Sequence, residues 1–211
     1  MIWSQSDYNK AENLFAAGKF EQAQAIFENF LKDNPSHLKT MEYLGDIAGH
    51  QKSWDKALIY YKKLKQLKSA EANYYNKYGL ALGMKAKESS KFKALGMIGE
   101  IKQAFEKAIE LNSKHIEARW ALVNIYIQLP GFVGGSESKA IRYSNELLKL
   151  SVVDGYLSRG QIEEHFERYS SAEIQYKKAI AAGSTKTGIQ MLANLYKNKM
   201  NQPEKAAKIK Q

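Results

Sequence analysis

The chain has no cysteine, only three prolines among 211 residues, and no apolar run approaching the roughly 20 residues that a membrane-crossing helix needs. The missing cysteine excludes disulfides, thiolate metal sites and a thiol nucleophile. It fixes no compartment. The scarcity of proline leaves long helices unbroken. Arginine is also rare: Arg119, Arg142, Arg159 and Arg168 stand against a lysine majority in a net charge of +10. Readers of nucleic acid use arginine forks at bases and phosphates, so this basicity argues against a nucleic-acid partner and for solvated lysine faces. The positive excess gathers in residues 72–115 and 153–211.

A phrase recurs instead. Gly18-Lys19-Phe20-Glu21-Gln22-Ala23 with Phe27 returns thirty-four residues later as Lys52-Ser53-Trp54-Asp55-Lys56-Ala57 with Tyr61. It returns again as Arg168-Tyr169-Ser170-Ser171-Ala172 with Tyr176. A period of this length marks stacked units that bury their apolar faces against their neighbours. Apolar positions three and four apart, such as Ala11 with Leu14 and Ala23 with Phe27 and Phe30, read as amphipathic helices in pairs. Pro35 ends the second helix of the first unit.

This pattern resembles the tetratricopeptide repeat. Leu44-Gly45, Tyr78-Gly79 and Arg159-Gly160 match the family's large-then-small pair in the first helix. Ala23, Ala57 and Ala172 match the small residue that opens the second, and Phe27, Tyr61, Phe105 and Tyr176 its aromatic. Ala108 and Ala179 match its later alanine, and Pro35 its terminal proline. Asn112-Ser113 and Gly183-Ser184 stand where that proline would be, which softens two boundaries. The resemblance implies an all-α right-handed superhelix, a solenoid of five to six helix pairs in one domain over 1–211. The units run at about 4–37, 38–71, 72–115, 116–152, 153–185 and a partial 186–211, the last ending in a short helix from Pro203 to Gln211.

Two units are longer than the period. The third gains about ten residues near Lys85 to Glu100, read as a lengthened second helix behind a lysine-rich loop. The fourth gains Pro130-Gly131-Phe132-Val133-Gly134-Gly135-Ser136. This glycine run is no phosphate loop, because Ser136-Glu137 replaces the required lysine and hydroxyl and a helix precedes it. Phe132 and Val133 either tuck against a neighbouring pair or form an exposed contact.

No residue set points to chemistry. The four histidines, His37, His50, His115 and His165, form no i, i+4 pair and no triad pattern. Carboxylates such as Glu163 with Glu164, or Glu42 with Asp46, sit on helices with lysines nearby and read as solvated or groove-lining groups. No cofactor, metal or catalytic residue is expected. The resemblance implies instead that the first helices of successive units line a groove that grips a peptide or a partner helix. The groove set is Tyr8, Glu12, Glu42, Asp46, His50, Asn76, Leu80, Trp120, Asn124, Gln161 and His165. It is neutral to acidic, so the surplus lysine is placed outside it. Relatives that clamp a chaperone's terminal carboxylate use basic groove residues, and here the matching places hold Tyr8, Glu12, Glu42 and Asp46. The expected partner is another protein, apolar with a neutral or basic flank. Trp120 is the expected anchor.

Two other readings stand beside this one. Imperfectly capped stack ends would let the chain self-associate, as a monomer in equilibrium with a weak homo-oligomer. Lys85, Lys87, Lys91 and Lys93 would bind an anionic surface with steep salt dependence. The start Met1-Ile2-Trp3-Ser4-Gln5 fits either a trimmed export signal or an intracellular N-terminus, so exported, periplasmic and cytoplasmic placements all stay open.

Overall fold

Twelve helices form the computed structural model, which describes residues 5–209. Residues 1–4, in the start that fits either a trimmed export signal or an intracellular N-terminus, and the end of the last expected helix lie outside the described residues. No strand occurs among them. The helices are α1 Gln5–Ala16, α2 Phe20–Asp33, α3 Leu38–His50, α4 Trp54–Leu67, α5 Ala72–Glu88 and α6 Lys91–Leu111. They continue as α7 Ile116–Gln128, α8 Glu137–Leu150, α9 Val152–His165, α10 Tyr169–Ala182, α11 Lys186–Asn198 and α12 Pro203–Ile209. Two compact bodies divide the chain, the first ending at Ser113 and the second beginning at Lys114. The first holds the pairs α1/α2, α3/α4 and α5/α6, and the second α7/α8, α9/α10 and α11/α12.

The repeated turn has one backbone solution. Gly18, Lys52 and Glu167 occupy the same place in it, and all three are left-handed, at φ 72°, 56° and 59°. Only glycine takes this conformation without a steric penalty; Lys52 and Glu167 take it at about 1 kcal/mol each. The turn closes with a backbone bond from the next residue to the helix before it. Ser53 N–H donates to the Ala48 carbonyl at 2.8 Å, and Arg168 N–H to the Glu163 carbonyl at 2.9 Å. These bonds satisfy carbonyls that a helix end would otherwise leave bare.

Within a pair, a glycine receives an aromatic ring. A Cβ on Gly45 would lie 2.6 Å from Tyr61, one on Gly79 2.9 Å from Phe105, and one on Gly160 2.3 Å from Tyr176. The small residue is therefore required by the ring that fills its place. Tyr61, Phe105 and Tyr176 are all buried. Each such ring stabilises the fold by about 2–3 kcal/mol through its removal from water. In the first pair, Ala11 and Phe27 are both wholly buried in one cluster with Leu44 and Ile47.

The third unit departs from the expectation of a lysine-rich loop. Its extra residues lengthen both helices, with α5 at 17 residues and α6 at 21. Lys85 and Lys87 sit in the last turn of α5. Lys85, Ala86, Lys87 and Glu88 all favour a helix, so the chain breaks only at Ser89-Ser90. The fourth unit's glycine run folds as a short 3-10 helix, Gly131–Val133. Gly134 is left-handed at φ 90°. Gly135 passes so close to the Leu129 carbonyl that a Cβ would lie 1.8 Å from its oxygen. Phe132 is 91% exposed and Val133 half-buried, so of the two expected placements Phe132 takes the exposed one.

Two features of the second body are polar. Arg119 is buried, with Nε donating to Glu146 and Nη1 to the His115 carbonyl, both at 2.9 Å. Between α8 and α9, Ser158 Oγ–H donates to Ser144 Oγ at 2.9 Å, and Ser144 Oγ lies 3.3 Å from the Gly155 carbonyl. Both serines are buried, and Gly155 lets the α8 backbone approach at Leu148.

Candidate functional site

The first helices of the first five pairs, α1, α3, α5, α7 and α9, carry the expected groove residues. In the first body these are Tyr8, Glu12, Glu42, Asp46, His50, Asn76 and Leu80. Tyr8 does not line a groove. Its ring is buried against Phe27, Phe30 and His37. Asn76 is likewise buried, and its Oδ1 has no hydrogen-bond partner among the described residues. Leu80 is exposed. His50 is exposed and stacks on Phe20 with ring centres 4.4 Å apart.

The acidic residues of this wall are not bare charges. Lys77, from α5, lies 2.9 Å from Glu42 and 2.6 Å from Asp46. Asp46 also accepts from the Tyr61 hydroxyl at 2.7 Å, and Glu12 from Tyr43 at 3.1 Å. Burial by itself would raise the Glu42 pKa, but the hydrogen bond and charge of Lys77 outweigh it and hold the carboxyl below its ordinary range. Burial would lower the Lys77 pKa, and Asp46 followed by Glu42 raises it instead. Burial and the Glu12 bond push the Tyr43 hydroxyl up to about 12. Lys77, which is not in the expected neutral-to-acidic set, supplies the countercharge to Glu42 and Asp46.

In the second body Trp120, Asn124 and Gln161 line one cavity, and Gln161 and His165 line another. A groove of about 650 Å³ opens between α7, α9 and α11, floored by Trp120, Asn124, Leu157, Gln161 and Met191. A second hollow of about 410 Å³ shares Gln161 and Met191 and carries Glu164 and His165. The Trp120 indole N–H donates to Asp154 at 2.7 Å, across thirty-four residues. That bond and packing against the Leu157–Leu192 cluster hold the ring half-buried in the groove wall. Gln161 Nε2 donates to Asn124 Oδ1 at 2.7 Å. This leaves the Asn124 amide nitrogen to donate and the Gln161 carbonyl oxygen to accept. Glu164 accepts from the Tyr176 hydroxyl at 2.8 Å, the counterpart of the Asp46–Tyr61 bond. Burial, then Asp46 or Glu164 respectively, raises the pKa of Tyr61 and Tyr176 well above a free phenol.

Two histidines have roles that the sequence reading missed. His37 Nδ1 accepts from the Thr40 N–H, and His115 Nδ1 from the Ala118 N–H, so each caps the helix it precedes. Serine, threonine and asparagine are the usual caps, which is why the signal was overlooked. Lys85 is committed to Asp55. Among the described residues, no group of three or more histidine or acidic side chains could hold a metal.

Helix pairs in which a glycine receives an aromatic ring, as at Gly45, Gly79 and Gly160, mark an all-α helical-repeat fold. The tetratricopeptide repeat family matches residues 8–72. Solved structures extend the likeness of fold over nearly the whole chain. TTC0263, a thermophilic TPR protein of Thermus thermophilus, is 16% identical, with 97% of each chain covered and a TM-score of 0.66. PilW, a type IV pilus biogenesis factor, is 16% identical, covering 98% of this chain and 91% of its own, with a TM-score of 0.70. YrrB, a TPR protein with an unusual peptide-binding site, is 16% identical, covering 88% and 89%, with a TM-score of 0.60. No curated protein matches the chain. Proteins of this repeat class generally mediate contacts between proteins.

Proposed function

We propose that the chain is a non-catalytic scaffold that takes a peptide or a partner helix on the inner faces of its first helices. The observation that carries this reading is the groove on α7, α9 and α11. It combines an aromatic wall at Trp120, apolar floor at Leu157 and Met191, and one donor and one acceptor at Asn124 and Gln161. An extended peptide offers the complement: a side chain for the aromatic wall and a carbonyl and an N–H for the amides. Asp154, Glu164 and Glu167 lie beside it, against the single lysine Lys199, so the preferred flank is basic. The first body has an inner face of its own, with Glu12, Glu42, Asp46, His50 and Leu80, on which Lys77 pairs Glu42 and Asp46. The peptide-binding site of YrrB, a protein of like fold, supports the same class of partner.

Selection from a displayed library of linear peptides tests this. Enriched peptides are expected to carry an apolar residue beside lysine or arginine. Their affinity should fall at least tenfold with Gln161→Ala or Trp120→Ala, about 1.4 kcal/mol or more, at unchanged far-ultraviolet circular dichroism. Peptides that bind both variants as tightly as the parent, or that are enriched in acidic residues, would remove the groove from the account.

A further inference from the structure

Helix α6 carries an apolar strip that the fold does not use. Its inward face runs through Ile101, Ala104, Phe105 and Ala108, all buried. At 3.6 residues per turn, Phe92, Leu95, Gly96 and Gly99 fall within an arc of about 100° on the opposite side. Phe92 is 87% exposed and Leu95 47%. The glycines are unlike Gly45, Gly79 and Gly160. A Cβ on Gly96 or Gly99 would meet nothing within 4 Å. Glycine inside a helix weakens it relative to alanine, and here no ring inside the molecule requires the space. Two large side chains followed by two absent ones form a knob and a shallow trough on one exposed helix.

The surroundings of the strip are basic. Lys91 and Lys93 flank Phe92, and Lys87 lies in the last turn of α5. Two exposed carboxylates interrupt this, Glu88 beside the lysines and Glu100 beside Gly99, so the basic charge gathers at the Phe92 end of the strip. A trough that admits close backbone approach suits a helix better than a lipid surface, which needs no missing side chains. A second copy of the chain would bring the same lysines to the interface, against a net charge of +10 on each.

We infer that the outer face of α6 is a second docking surface, separate from the inner groove, and that its occupant is an amphipathic helix with acidic flanks from a partner protein. The partner's apolar ridge lies over Gly96 and Gly99, Phe92 seats between its side chains, and its carboxylates meet Lys87, Lys91 and Lys93.

The test uses the full chain and two designed helices of roughly 20 residues, long enough to fold alone. They share a leucine ridge, and one is flanked by glutamates and the other by lysines. Binding is read by fluorescence anisotropy. The acidic helix is expected to bind at least tenfold more tightly than its basic twin, and the preference should reverse with Lys91→Glu and Lys93→Glu together. Phe92→Ala should weaken it about tenfold. Gly99→Leu should raise the thermal midpoint, because the position is open, and yet block the acidic helix. Equal binding of the twins, or wild-type binding by Phe92→Ala or Gly99→Leu, overturns the inference. So does capture by phosphatidylglycerol vesicles without any peptide response, or a dimer in sedimentation that Phe92→Ala dissociates while neither peptide binds. Trp120→Ala separates the two surfaces. It should leave the acidic helix bound; if it does not, the helix is read by the inner groove and the strip on α6 has no part in it.

Discussion

Replacing Gly160 with alanine tests the packing rule of the repeat at its tightest point. The new methyl carbon would lie 2.3 Å from Tyr176 Cε1 and 2.5 Å from Cδ1, where ordinary contact begins near 3.4 Å. The ring must retreat by about 1 Å to restore carbon–carbon spacing. It has nowhere to go, being wholly buried, with its hydroxyl tied to Glu164 at 2.8 Å. Overpacking costs about 1–3 kcal/mol, and weakening the hydroxyl bond adds about 1. Alanine returns about 1 kcal/mol as a better helix former. The net expectation is a loss of about 1–3 kcal/mol, read as a urea midpoint lower by about 1 M in circular dichroism at 222 nm. Hydrogen exchange should rise first in α9 and α10, since a repeat feels its neighbours most. The double variant Gly160→Ala with Tyr176→Leu removes the clash and should be less destabilised than the two single changes summed, by at least about 1 kcal/mol. A neutral or stabilising Gly160→Ala, or strict additivity with Tyr176→Leu, would refute the ring-in-place-of-Cβ account.

Two further outcomes concern charge. Lys77→Met leaves Glu42 and Asp46 facing each other and should cost about 1–2 kcal/mol at neutral pH, discounted for their partial exposure. Glu42 titrates low in the folded chain, so its contribution is present above the unfolded carboxylate pKa and lost as pH falls through the folded one; Lys77 titrates high, so its contribution fades only as pH rises through its own folded value. The gap between variant and parent should therefore narrow in acid, and a gap as wide at pH 3 as at pH 7 would contradict the pairing. At His115, burial depresses the pKa below its ordinary 6.5; Glu117 opposes it, and Arg119 adds a smaller push in the same direction as burial. The neutral ring caps α7, so stability is present above pH 6.5 and declines as pH falls through the folded value. His115→Asn keeps a capping oxygen and should flatten the urea midpoint between pH 7.5 and 5; an unchanged slope would assign the effect elsewhere.

The architecture was legible because it rests on side-chain volume at fixed spacing. Gly45 with Tyr61 and Gly160 with Tyr176 announce the helix pair, and the geometry follows from steric necessity. That Trp120, Asn124 and Gln161 fall on first helices was legible for the same reason, by count alone. What the sequence hid is pairing across helices. Lys77 between Glu42 and Asp46, and Trp120 with Asp154, join residues about one repeat apart, and a linear reading assigns each to its own helix. Burial was hidden too: Tyr8 and Asn76 sit at inner-face spacing but turn into the packing. The lengthened third pair could have been read from its lack of any breaker before Ser89, whereas the capping histidines use an uncommon residue for a common task.

The tyrosine–carboxylate bonds tie the inner wall to the interior. Asp46 and Glu164 sit on first helices, on the faces proposed above to receive a partner, while the phenol rings of Tyr61 and Tyr176 are buried behind them. Any guest that draws either carboxylate to itself must slacken the tether on a ring the solvent cannot reach. The part of the near-ultraviolet dichroism that Tyr61→Phe or Tyr176→Phe removes would therefore report on such a guest, one tyrosine in each body of the chain.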